Sequence, residues 1–145
     1  MDNKILDGIL KEIETAIQSR GRTDLYIDRD EEREILQIAL QRGMTLDLAR
    51  KMLSETCQKK SFVVESSVLQ QFEDRVFQWQ KEQGNISEKA FQALACELFE
   101  KTQGAKALGD CKQILVEVIE TNDYSIRPGL FSDWFQRVKK ELDTG

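Results

Sequence analysis

The sequence predicts an all-α protein of about seven helices, and three observations carry that expectation. Apolar residues recur with a helical period: Val68, Leu69, Phe72, Val76 and Trp79 follow one another at spacings of one, three, four and three, which suits 3.6 residues per turn and not the alternation of a strand. Breakers are scarce, with one proline and eight glycines in 145 residues, so runs of good helix formers go uninterrupted. The stripe also recurs. Ile5, Leu6, Ile9, Ile13 and Ala16 stand 63 positions before it, and Leu130, Phe131, Trp134, Arg137 and Val138 stand 62 positions after Val68, Leu69, Phe72, Arg75 and Val76. We therefore expect two degenerate three-helix repeats, residues 1–65 and 66–128, and a closing helix over 129–142. Each repeat is about half the size at which a core becomes comfortable, so a single domain, 1–145, with one shared core is expected.

The first helix is expected over 3–20, with Asp2 as N-cap and Gly21 as a stop. Leu25, Tyr26 and Ile27 then form an apolar connection that should pack down, with room for a short extended segment. Asp28 and Glu31 have capping-box spacing and open the second helix, whose buried side is Ile35, Leu36, Ile38 and Ala39 up to Gly43. Thr45 caps a third helix to about Cys57, with Leu46, Ala49, Met52 and Leu53 inward. Phe62, Val63 and Val64 make a second apolar connection, and Ser67 with Gln70 repeats the capping-box spacing at the central helix. Ser87 caps the next helix, with Phe91, Leu94, Ala95, Leu98 and Phe99 inward and a stop near Gly104. A further helix begins between Ala105 and Asp110 and carries Leu108, Cys111, Leu115, Val118 and Ile119. Tyr124 and Ile126 lie 62 positions after Phe62 and Val64, and Pro128 is expected at the start of the last helix, where its missing N–H is harmless.

Composition bounds the function. The chain is 40% hydrophobic and 32% charged with a net charge of -5 and a pI near 4.9, which disfavours non-specific nucleic-acid binding and anionic membranes. No apolar run approaches the roughly 20 residues of a spanning helix. Met1-Asp2-Asn3-Lys4 leads directly into an acid-containing amphipathic helix, unlike a secretory or transit signal, so a cytoplasmic protein is expected. Cys57, Cys96 and Cys111 are odd in number and unpaired in spacing, as expected for reduced thiols that mostly pack in the core.

Chemistry-bearing motifs fail one by one. Without histidine, serine–histidine and cysteine–histidine nucleophiles and an ordinary zinc site are out of reach. Cys111, near Lys106 and Lys112, is the best placed thiol for reactivity. Gly104-Ala105-Lys106-Ala107-Leu108-Gly109 has the opening of a phosphate-binding loop but continues with Asp110 and Cys111 instead of Lys and Ser or Thr. Asp28, Asp30 and Glu32 have the alternate spacing of a calcium loop, yet Arg33 and Ala39 occupy the places of its glycine and final glutamate. No metal and no cofactor are expected.

Residues 38–53 resemble the helix-turn-helix pattern of bacterial DNA-binding proteins, with Ala39, Gly43, Met44, Ala49, Met52 and Leu53 at the matching places. The resemblance implies exposed reading positions at Thr45, Leu46, Asp47, Leu48, Arg50 and Lys51. Two leucines and an acid read bases and phosphates poorly, and Arg42 stands where that pattern is usually apolar.

Phe77 and Phe135 lie roughly 100 to 140 degrees off their main stripes at 100 degrees per residue, with Trp79 and Trp134 nearby. Arg137, Lys139 and Lys140 would give a positive rim. An apolar centre inside a charged rim is interface anatomy, so Phe77, Trp79, Trp134, Phe135 and Arg137 are the expected protein-binding residues. The competing arrangement packs Phe135 on the loop around Tyr124 and Ile126. The function expected is a non-enzymatic protein–protein interaction module, a cytoplasmic adaptor or regulator that binds another protein or itself. A DNA-binding regulator using 38–53, or an enzyme using carboxylates or a thiol, are the alternatives.

Overall fold

The computed structural model describes residues 3–21, 26–129 and 133–144, and within the first helix the side chains from Asp7 to Ser19. The settings expected for Asp2, Ile5, Leu6, Leu25, Leu130 and Phe131 lie outside the described residues. The chain is all-α, with seven helices among the described residues: α1 (Asn3–Gly21), α2 (Arg29–Gln41), α3 (Leu46–Lys59), α4 (Glu65–Gln83), α5 (Glu88–Lys101), α6 (Leu108–Thr121) and α7 (Trp134–Thr144). The two strands are only a pair of residues each, β1 (Tyr26–Ile27) and β2 (Val63–Val64). No described helix is long and apolar enough to cross a membrane.

Two compact units divide the chain, Met1–Ser67 and Val68–Gly145. Where one shared core was expected, the buried apolar side chains of the described residues form two clusters, one in each unit.

In the first unit Ile9, Ile13 and Ile17 of α1 pack with Ile35 and Ala39 of α2 and with Ala49, Met52, Leu53 and Cys57 of α3. Local chemistry sets the helix ends. Asp28 is the N-cap of α2, its Oδ1 accepting from the Glu31 N–H at 2.8 Å, and the Thr45 hydroxyl caps α3 by accepting from the Leu48 N–H at 3.2 Å. Between them Gly43 takes φ +88°, which a side chain resists even where, as here, a Cβ would meet nothing. The turn then delivers the Met44 N–H to the Ala39 carbonyl at 3.2 Å.

The apolar connections have a reason to be buried. Tyr26 pairs with Val63 and Ile27 with Val64 in a parallel register. Both segments run into a helix N-terminus, with α2 and α3 as the crossover between them. Ile27 is fully buried, and its backbone groups need partners that water does not supply; the pairing supplies them. One residue beyond β2, the buried Glu65 carboxylate accepts from the Arg29 N–H at the start of α2, at 2.8 Å. A helix N-terminus is one of the few partners that makes a buried carboxylate tolerable. α4 thus starts at Glu65, and Ser67 lies inside it instead of capping it.

The second unit follows the same order of elements. After α4, Ile86 pairs in parallel with Ile126, with the Ile86 N–H donating to Ser125 O and the Arg127 N–H to Ile86 O, both at 2.9 Å. Ser87 caps α5 by accepting from the Ala90 N–H at 3.1 Å, whereas α6 starts at Leu108 after Ala107 with no side-chain cap. The core joins Phe72 and Val76 of α4, Phe91, Leu94, Ala95 and Leu98 of α5, Cys111, Leu115 and Ile119 of α6, and Trp134, Phe135 and Val138 of α7. Two expectations are corrected here. The closing helix begins at Trp134, not at 129 beside Pro128, with the Asp133 carboxylate accepting from the Gln136 N–H at 3.3 Å. Phe99, expected inward, is 39% exposed.

Candidate functional site

The expected aromatic surface is not assembled. Trp134 is 2% exposed and Phe135 7%, so neither offers its ring to a partner. Both pack on Phe91: ring centroids lie 5.5 Å apart for Phe91–Trp134, 6.3 Å for Phe91–Phe135 and 5.6 Å for Trp134–Phe135, all tilted or edge-on, the geometry aromatic quadrupoles prefer. The Trp134 indole N–H donates to Arg127 O at 2.8 Å. Lys139 lies over the Phe135 ring at 5.0 Å while its ammonium meets Glu120 at 3.1 Å. Trp79 is half-buried against the second core beneath the Arg75 guanidinium, 5.5 Å from its ring. Arg137 is exposed and paired with Glu88 at 3.0 Å. Phe77 alone of the four rings stands out, at 52% exposure.

The correction has a simple cause. A residue adjacent to the main stripe is covered when the helix is sandwiched, and Phe135 sits between Phe91, Trp134 and the Lys139 ammonium.

Exposed apolar surface lies elsewhere. Leu40, Leu46 and Leu48 are 44%, 40% and 37% exposed, all within the α2–α3 hairpin of the first unit. Leu46, expected inward on the α3 stripe, is instead open to solvent at the first turn. Beside it runs a groove of about 490 Å³, floored by Leu36, Leu40 and Leu46 and edged by Arg29, Arg33 and Arg50, with Glu32 the one acid on its wall. Those three arginines have no ion-pair partner among the described residues, whereas Arg42, just outside, pairs with Glu12 at 2.9 Å. A larger cleft of about 680 Å³ between α6 and α7 is less suited to binding. Its Arg137 and Lys139 are already paired, and Val116, its apolar contribution, is buried.

The helix-turn-helix resemblance concerns the same hairpin. Ala39, Met44, Ala49, Met52 and Leu53 are buried, and Thr45, Leu46, Asp47, Leu48, Arg50 and Lys51 are exposed.

No family model, curated protein or solved structure matches the chain. The reading of the site therefore rests on its own chemistry.

Two of the three thiols are held in their neutral form. Burial pushes the Cys57 thiol up to about 11, with nearby Glu32 adding to the effect. Burial likewise raises Cys111, and Lys106 only partly opposes it, so the thiol that the sequence favoured for reactivity is a buried, protonated one. Cys96 is exposed. Among the described residues no group of three or more Cys, Asp or Glu side chains is placed to hold a metal ion.

Sequence reasoning missed Glu65 and the groove. Glu65 reads as one more acid before a helix, and only the β1–β2 register brings it to α2. Of the groove residues, Leu36 and Leu46 were expected inward and Arg50 as an exposed position of the hairpin, and nothing local announces the cleft that they line.

Proposed function

We propose that this chain is a non-enzymatic protein–protein interaction module that docks a partner on its α2–α3 hairpin. One observation carries the reading: Leu40 and Leu46, two of the large apolar side chains that stand exposed, line one groove on this hairpin beside Leu36 and three arginines. Scattered exposed leucines are ordinary, whereas a contiguous group rimmed by charge is what interfaces look like. We further read it as a cytoplasmic adaptor or regulator, supported by three free thiols that a reducing compartment would preserve. The non-enzymatic part is supported by the absence of histidine and by the raised thiols of Cys57 and Cys111.

The test is site-specific photocrosslinking in cells. A photoreactive residue at Leu46 should give a discrete adduct with another protein. The adduct should vanish in Leu40→Ser and be absent when the photoreactive residue replaces Lys112 on α6. No discrete adduct, or one equally strong from Lys112, would reject the hairpin as a docking face.

The exposed setting of Thr45, Arg50 and Lys51 favours a second reading, DNA binding through α3. Salt-dependent retention on duplex DNA, lost in Arg50→Ala/Lys51→Ala, would favour it over the first.

A further inference from the structure

The groove beside Leu40 and Leu46 has a chemistry specific enough to name its occupant. Arg29, Arg33, Leu36 and Leu40 follow one another on α2 at spacings of four, three and four, so they form one stripe along the helix. Leu46 and Arg50 do the same on α3, and both stripes face one cleft. The α2 stripe is about 16 Å long at 1.5 Å per residue, which suits roughly three turns of a helix laid in the groove.

The two kinds of side chain are also segregated. Leu40 and Leu46 flank the turn that joins α2 to α3, and Arg50 lies one helical turn beyond Leu46. Arg33 and Arg29 lie two and three turns back from Leu40. The cleft is thus apolar at its turn end and basic toward the other.

The charge is the second, independent observation. The chain has more acids than bases, 26 against 21, yet Arg29, Arg33 and Arg50 have no ion-pair partner among the described residues. Arg42, Arg75 and Arg137, by contrast, each meet a carboxylate. Three guanidinium forks around a leucine floor present planar, paired donors for carboxylates brought by something else.

We propose that the groove takes an acidic amphipathic helix from a partner protein, its apolar side on Leu36, Leu40 and Leu46 and its carboxylates on Arg29, Arg33 and Arg50. This inference rests on the hairpin being a docking face. Phosphates would also satisfy the arginines, but a nucleic acid makes no use of the leucine floor. The carboxylates of the ligand should cluster toward one end, matching the basic end of the cleft.

The experiment is selection from a phage-displayed library of helical peptides, followed by fluorescence anisotropy with the selected peptides. We expect enriched sequences with apolar residues at i, i+4 and i+7 and Asp or Glu gathered toward one end. Affinity should fall at least about tenfold in Arg33→Glu/Arg50→Glu and in Leu40→Ser/Leu46→Ser, and should weaken as salt is raised. Both double variants should keep their helical circular dichroism, because the positions are exposed. A selected peptide with Lys in place of its acids should regain binding to Arg33→Glu/Arg50→Glu. Binding that needs Leu40 and Leu46 but ignores the arginines overturns the acidic ligand and leaves the docking face standing. Peptides indifferent to both double variants, or no selected peptide at all, overturn the docking face itself. Tighter binding of duplex DNA or phosphatidylserine vesicles than of any peptide would overturn the proposal. So would a dimer in light scattering that is lost in Leu40→Ser/Leu46→Ser.

Discussion

Cys57 and Cys96 share a side chain and differ in everything that matters for its chemistry. Cys57 is buried among Ala49, Met52 and Leu53, where a thiolate would lack solvation, so the neutral form persists to about 11 instead of the ordinary 9.0. Between those two values the unfolded chain gives up the proton and the folded chain keeps it. Stability is then present in full below about pH 9 and falls as pH rises toward 11. Cys111 is raised too and acts in the same direction. Melting temperature should therefore decline across this window, and less steeply in Cys57→Ala. At pH 8 a disulfide reagent should titrate Cys96 rapidly and reach Cys57 and Cys111 only in denaturant. Fast labelling of all three thiols in the native protein would contradict the burial described.

The short parallel pairings matter at the scale of elements because each gives a helix its starting point. The register Ile27 to Val64 places Asp28 and Glu65 side by side, and the two carboxylates between them accept from the Glu31 and Arg29 N–H groups of α2. Those are two of the four donors that an α-helix leaves unsatisfied at its N-terminus. Glu65→Ala removes the charged acceptor of this part-buried hydrogen bond and should cost about 1–3 kcal/mol in urea unfolding. Glu65→Gln keeps an acceptor and should cost less. Hydrogen exchange at Arg29 should speed up in the alanine variant. Unchanged stability and exchange would mean that Glu65 does not hold this helix end. The consequence reaches the groove, since Arg29 and Arg33 are carried on that first part of α2.

At the scale of the molecule the question is whether two clusters behave as one domain. Units of about 70 residues are marginal on their own. The division at Ser67 falls within α4 instead of in a polar linker, where domain boundaries usually lie. We expect one cooperative unfolding transition, lowered both by Ile13→Ala in the first cluster and by Phe135→Ala in the second. Truncating a buried Phe costs about 3–5 kcal/mol, enough for a drop of several degrees. Two separated transitions, each sensitive to only one substitution, would show two domains.

Local forces were legible along the chain. The apolar period of 3.6 residues announced helices, and Asp28, Thr45 and Ser87 announced three of their starts. Each cap bonds to an N–H only three residues away. Gly43 announced a turn through its own backbone freedom. What the tertiary structure alone decided concerns neighbours distant along the chain. A helical period gives the angle of a side chain about its axis, but not how many sides of that helix are covered. Phe135 is therefore buried against Phe91, 44 positions away in sequence, while Leu46, on a better apolar stripe, stands in solvent. The pairing of Ile86 with Ile126 and the reach of Glu65 to Arg29 carry no local signature either. Ile86 and the Glu65 carboxylate take these partners because burial denies them water, and burial is a property of the packed chain.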